Sequence, residues 1–150
     1  MANLATSNNT AIQNNNTFAI PNGHICTFDV STLQGKMTLA KALNGAVSMR
    51  DMTGKVIPVV DVVTTDGVRS RTGESCINTY LISEDGTVYF SQSDGIARSV
   101  RILVGLFTDA DTLEFTSPAS LGVGFLIQEQ KLQNGNTLKN MIPAELETEE

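Results

Sequence analysis

The feature that most constrains this chain is its punctuation by Asn-Gly at 22, 44 and 134 and by Asp-Gly at 66, 85 and 94. Both dipeptides favour turns because they tolerate positive φ. Spaced this way, they leave room mainly for strand-length segments. His24 to Val30 alternates Ile25, Thr27 and Asp29 against Cys26, Phe28 and Val30, a period of two that predicts a strand. Thr38 to Asn44 spaces Leu39 and Leu43 by one helical turn, with Thr38 as N-cap and Gly45 as stop, and predicts a short helix. Ala46 to Asp51 and Val56 to Thr65 read as a hairpin joined by Met52 to Lys55, with Pro58 marking an edge or a bulge.

Ser75 to Ser83 and Thr87 to Ser91 flank Glu84-Asp85-Gly86, the strongest hairpin signal in the chain. Taking Asp85-Gly86 as a two-residue turn sets Ser83 opposite Val88, Ile82 opposite Tyr89, Leu81 opposite Phe90 and Tyr80 opposite Ser91. In that register Tyr80 and Tyr89 share a face. Ser93 or Asp94 caps a helix through about Leu106, with Ile96, Val100, Leu103, Val104 and Phe107 as its apolar stripe and Arg98 and Arg101 pointing away. Leu113 to Thr116 and Val123 to Lys131 supply later strands. The expected fold class is therefore α+β and strand-rich, a small OB-like barrel with one main amphipathic helix.

The ends differ from the middle. Residues 1–17 are rich in Asn, Thr, Ser and Ala and bury too little to offset the entropy of ordering, which predicts a flexible arm. Residues 140–150 gather Glu145, Glu147, Glu149 and Glu150 behind Pro143 and read as a flexible acidic tail. That leaves residues 18–139 as a single binding domain. The net charge is −6, yet eight of the ten basic residues fall between positions 36 and 108 against seven acids, so the middle is slightly basic. No apolar run approaches the roughly 20 residues of a bilayer span, and the N-terminus shows no secretory signal. A cytoplasmic protein is expected.

Reactive constellations fail one by one. His24 and Cys26 are two potential ligands on one strand face, short of a tetrahedral zinc set. Gly35-Lys36-Met37-Thr38 resembles the end of a phosphate-cradling loop, but Val30 stands where that motif requires Gly and Met37 where it requires Ser or Thr. Asp109, Asp111 and Glu114 do not continue into a calcium loop. Cys26 and Cys76 read as buried free thiols. We expect no enzyme, no cofactor and no metal.

Binding chemistry is better represented. Arg69 and Arg71 lie two apart on an extended stretch and project to one side, and Lys36, Lys41, Arg50, Lys55, Arg98 and Arg101 can complete a basic groove. Such a groove combined with stacking aromatics, here Tyr80 and Tyr89, suits single-stranded nucleic acid. An Asn-rich arm on a strand-rich body also suits a structural or assembly subunit, and an oligomer is compatible with either reading.

The block from Lys41 to Phe107, with KALNGAVSMRDMTGKVIPVVDVV (41–63) and LISEDGTVYFSQSDGIARSVRILVGLF (81–107), resembles small single-stranded DNA-binding proteins of phages and mobile elements of Gram-positive bacteria. The resemblance implies a non-enzymatic replication accessory that coats exposed single strands in the bacterial host cell, with the structural or assembly role then specifically that of a phage protein. Bacterial proteins of this kind often recruit replication partners through an acidic C-terminal tail. The end here is similar in charge, but closes on Glu150 where such tails usually carry an apolar residue.

Overall fold

The structure, a computed structural model, describes residues 24–147. The predicted arm at 1–17 lies outside the described residues. The elements in chain order are α1 (Leu33–Gly45), β1 (Val47–Ser48), a 3-10 turn (Met49–Met52), β2 (Val56–Ile57), β3 (Val59–Val68), β4 (Ser75–Ser83), β5 (Val88–Ser91), α2 (Asp94–Leu106), a second 3-10 turn (Pro118–Leu121), β6 (Val123–Lys131) and β7 (Thr137–Glu145). They form a four-stranded sheet, β1-β5-β4-β3, and a three-stranded sheet, β2-β6-β7. The fold is α+β and strand-rich, as the sequence predicts.

The two sheets do not close into a barrel, which corrects the OB-like expectation. The expected strand from His24 to Val30 is reduced to one bridge, Cys26 to Val63. On either side of that bridge one backbone bond forms, from the Thr64 amide to the Ile25 carbonyl at 2.9 Å and from the Thr27 amide to the Val62 carbonyl at 3.1 Å, while the return bonds go to hydroxyls: Thr64 Oγ1 accepts from the Ile25 amide and Thr27 Oγ1 from the Val62 amide, each at 2.9 Å. The pairing goes no further than this bridge, and β3 is the last named strand of its sheet. The expected hairpin of Ala46 to Asp51 with Val56 to Thr65 is not formed either. β1 pairs with β5 in parallel, while β2 pairs with β6, and Pro58 separates β2 from β3. Lacking an amide hydrogen, Pro58 marks the point where the chain leaves one sheet for the other. A register shift follows between Val59 and Asp61.

Two hairpins share one turn chemistry. Ser83 pairs with Thr87 across Glu84-Asp85-Gly86, and Leu132 pairs with Asn136 across Gln133-Asn134-Gly135, with Gly86 at φ 93° and Gly135 at φ 88°. Each is a three-residue loop with glycine in the left-handed position. Asp85 does not share the positive φ that a two-residue type I′ turn would demand of it. The β4–β5 register is therefore Tyr80 to Phe90, Leu81 to Tyr89 and Ile82 to Val88, one residue away from the expected pairing. A one-residue slip exchanges the faces of a strand. Tyr80 and Tyr89 lie on opposite faces.

Helix α1 starts at Leu33, earlier than expected, because the Thr32 hydroxyl accepts from the Gly35 amide at 3.0 Å and caps it. It covers one face of the four-stranded sheet over Leu39, Ala42, Val63, Tyr80, Ile82 and Val88. Helix α2, capped by Ser93, inserts Ile96, Val100, Leu103 and Val104 against the other face, where Val62, Leu81, Phe125, Ile127 and Met141 meet them. Burying each of these aliphatic side chains is worth roughly 1.5–3 kcal/mol. The stripe read from the sequence is this core.

The acidic tail expected from residue 140 is in part a strand, since β7 carries Met141 into the core and runs to Glu145. β7 is an edge strand, and its outward Met141 amide donates to Ser99 Oγ on α2 at 3.0 Å. Pro143, two residues on, presents its missing donor on the same outward side, which is why proline is tolerated there. The strand expected at Leu113 to Thr116 is only a bridge, Thr108 to Phe115. There Asp109 accepts from the Asp111 and Thr112 amides and turns the chain instead.

Candidate nucleic-acid interface

Where β5 runs into α2, the edge of the four-stranded sheet faces the β6–β7 hairpin, and the two sheets stand apart over an open cleft of about 400 Å3. One wall carries Ser48, Met49 and Arg50, brought there because β1 lies beside β5. Phe90, Ser91, Gln92 and Ser93 lead from β5 to the N-terminal end of α2. Ile127, Thr137 and Lys139 form the opposite wall. The lining residues include two cations and no carboxylate, although the chain as a whole carries −6. Among the described residues neither Arg50 nor Lys139 has a carboxylate within ion-pair distance.

Gly95 fixes the opposite wall. A Cβ at this position of α2 would collide with the Lys139 carbonyl oxygen, so only glycine lets the helix approach β7 this closely. The contact sets β7 against the helix next to Lys139.

The polar rim is also built. Gln92 Nε2 donates to Asn78 Oδ1 at 3.0 Å and to the Val68 carbonyl at 3.3 Å, and Asn78 Nδ2 donates to the Asp66 carbonyl at 3.4 Å. Two backbone carbonyls at the ends of this chain of amides set its polarity, since neither can donate. Arg69 Nη2 donates to the Gln92 carbonyl and to Asp94 Oδ1, each at 3.0 Å, tying the β3–β4 hairpin to the start of α2.

The ten residues expected to bind DNA are scattered by comparison. Arg50 lines the cleft. Arg69 is held by Asp94 and, at 4.0 Å, by Glu74, whereas Arg71 is exposed at the hairpin tip. Lys36 donates to the carbonyls of Val30 and Ser31 at 3.2 and 2.9 Å and so secures the entry to α1. Lys41 is exposed on α1, close to the β4–β5 turn. Lys55 is exposed ahead of β2, and Arg98 and Arg101 are exposed on α2. Tyr80 is buried against Phe90 under α1, and Tyr89 packs on the other core.

Sequence reasoning missed Phe90, Gln92 and Lys139. The correct loop length at Gly86 would have paired Phe90 with Tyr80. The Asn134-Gly135 turn signal directly after the β6 segment, which calls for an antiparallel return, was the available signal for β7.

The metal and nucleophile candidates have structural roles. His24 Nδ1 and Nε2 lie 3.0 and 2.9 Å from Thr64 Oγ1 and Asp66 Oδ1. Burial pushes the Cys26 thiol up to about 12, and both cysteines are free and buried. Among the described residues no three His, Cys, Asp or Glu side chains converge to hold a metal ion, and no helix is long and apolar enough to cross a membrane.

A cleft with cations on both walls and a polar rim suits a polyanionic ligand. Comparison with known families gives that class its identity. A profile of the Phi29-type phage single-stranded DNA-binding proteins matches residues 19–120, more than half of the chain, and the chain belongs to this family. It is a single-stranded DNA-binding protein. The match takes in Arg50 and the Phe90 to Ser93 segment, while β6 and β7 lie beyond it. No match was found among the curated proteins or the solved structures.

Proposed function

We propose that the protein coats single strands exposed during phage or mobile-element DNA replication in the bacterial cytoplasm, holding them without strong sequence preference along the cleft between its two sheets. Arg50 and Lys139 take phosphates from opposite walls of that cleft. Arg71 at the hairpin tip, with Lys41, Lys55, Arg98 and Arg101 further out, guides the strand to and from the cleft. Recruitment of replication proteins through the acids between Glu145 and Glu150 belongs to the same reading. No step in it calls for a catalytic group.

The observation that carries this reading is the pairing of Arg50 and Lys139 in a cleft whose lining holds no carboxylate, in a chain of net charge −6. Counterions released from single strands lower the logarithmic salt slope by about 0.7 for each phosphate neutralised. The test is a titration of labelled oligo-dT at two salt concentrations with Arg50→Ala, Lys139→Ala and the double variant. Each single change is expected to weaken binding and flatten the slope by about that amount. Unchanged affinity and slope in the double variant would remove the strand from the cleft.

A further inference from the structure

Beyond the cleft the β6–β7 hairpin leaves the body of the protein. Gly54 and Lys55, ahead of β2, bond to β6 at Ile127, and every residue from Gln128 to Leu138 is exposed. The register fixes which side chains of this ribbon face the cleft. Residues directly paired across an antiparallel ladder project to one face, and so do residues two apart on a strand. Ile127, Thr137 and Lys139 all line the cleft. Lys131 pairs with Thr137 and follows Ile127 by two alternations, so its side chain belongs to the same face. Lys131 and Lys139 are diagonal neighbours across the ladder, a relation that sets the two positions roughly 7–8 Å apart. Among the described residues neither has a carboxylate within ion-pair distance. Glu129, paired with Lys139, shares the face.

We propose that Lys131 is a third phosphate-binding residue, continuing from Arg50 and Lys139 a track that leaves the cleft and runs outward along the β6–β7 ribbon. This rests on the strand occupying the cleft. The spacing suits the ligand, because the separation of Lys131 from Lys139 is close to that of successive phosphates on an extended single strand. An ammonium on a flexible stem offers three donors and takes a phosphate oxygen from many directions. Lys131 therefore grips the backbone without reading bases. Glu129 acts in the opposite sense. Its carboxylate lies on the same face and repels phosphates, so the grip on the ribbon is weaker than the grip inside the cleft.

The test titrates oligo-dT of increasing length against the wild type, Lys131→Ala, Glu129→Gln and the Arg50→Ala/Lys139→Ala double variant at two salt concentrations, with thermal melting to establish that each is folded. The shortest oligomer that binds fills the cleft alone, and Lys131→Ala is expected to leave its affinity unchanged. On longer oligomers the same change should weaken binding roughly 3- to 5-fold at low salt and flatten the salt slope by about 0.7. Glu129→Gln should tighten binding of the longer oligomers, a gain that a lysine serving only to keep the ribbon solvated does not predict. A Lys131→Ala effect that is absent at every length, or equal at every length, overturns the outward track, and so does a Glu129→Gln variant that binds long oligomers no better than the wild type. The double variant separates the two readings. If it weakens binding at all lengths while Lys131→Ala is silent, the cleft stands and the track falls. If it is silent, the cleft assignment falls and the track with it.

Discussion

Tyr80 sits opposite Phe90 across β4 and β5, with ring centroids 5.2 Å apart, and that pairing sends Tyr89 to the other face of the sheet. Tyr80 is only 8% exposed, which leaves little ring for a base to stack upon. Tyr80→Ala is therefore expected to cost about 3 kcal/mol of stability, as for truncation of a buried aromatic, read by urea denaturation. Affinity of the folded fraction for single-stranded DNA should stay within about 2-fold. Phe90, the half-buried ring packed on Tyr80 in the same core, should behave alike, so Phe90→Ala also costs stability and leaves the affinity of the folded fraction unchanged. A loss of affinity in either variant at temperatures where it is folded would contradict a packing role for the pair.

Arg69 and Arg71 share a hairpin and differ in their partners. Arg69 spends its guanidinium on Asp94, Glu74 and the Gln92 carbonyl, while Arg71 is exposed on the loop. Arg71→Ala should flatten the salt slope of binding by about 0.7 and leave the melting temperature alone. Arg69→Ala should cost up to about 1 kcal/mol of stability, the ordinary worth of a part-exposed ion pair, with a smaller change in slope. Salt titrations of both variants decide the matter, and a larger slope change for Arg69 would reverse the assignment.

How much of this was legible in the sequence depends on how local each signal was. Helix α2 was readable, because Ser93 caps it and Ile96, Val100, Leu103 and Val104 recur at helical spacing. Strand β6 was readable for the same kind of reason. The β4–β5 register was not, since Asp85-Gly86 suits both a two-residue turn and the second and third positions of a three-residue loop. Asp66-Gly67 misled outright: it lies inside β3, where glycine makes room for Asn78. Arg50 and Lys139 are 89 positions apart, and nothing local in either segment tells that β1 and β7 face one cleft. Such long-range juxtapositions depend on topology, in particular on the switch of the chain from one sheet to the other at Pro58.

Asp61 gives the fold an unusual acid dependence. Burial raises its carboxyl above the ordinary 3.8, and a hydrogen bond from Thr27 Oγ1 at 2.8 Å only partly opposes this. The folded state thus binds the proton more tightly than the unfolded chain, and this group's contribution to stability falls as pH rises from about 3.8 through its folded value. Asp29, Asp85 and Asp109 act in the opposite sense. Their carboxyls accept hydrogen bonds, from Ser31, Thr87 and Thr112 foremost, that hold them below the ordinary value, so their contribution is lost on acidification. Asp61→Asn keeps an acceptor for Thr27 and removes the buried charge. It should stabilise the protein at pH 7, with the gain vanishing below pH 3.8. Urea denaturation at the two ends of that range checks it, and a destabilised variant at pH 7 would mean that the charge is favourable where it lies.

The two glycines of α2 make opposite predictions. Gly105 has nothing within 4 Å of where a Cβ would stand, so Gly105→Ala should stabilise by roughly 0.4–1 kcal/mol through the unfolded state alone. Gly95→Ala gains the same entropy but drives a methyl group into the Lys139 carbonyl oxygen, and backbone on both sides must give way. A net loss of about 1–3 kcal/mol is expected, as for other overpacked contacts. The larger consequence concerns the cleft. Lys139 is one of its two cations, and moving β7 away from α2 carries that ammonium away from Arg50. Gly95→Ala should therefore weaken binding of oligo-dT even at temperatures where the variant is fully folded, and should add little to the effect of Lys139→Ala. Chemical denaturation and titrations of both single variants and the double variant provide the cycle. Additive losses of affinity would show that Gly95 serves only the packing of α2 and that Lys139 holds its place without it.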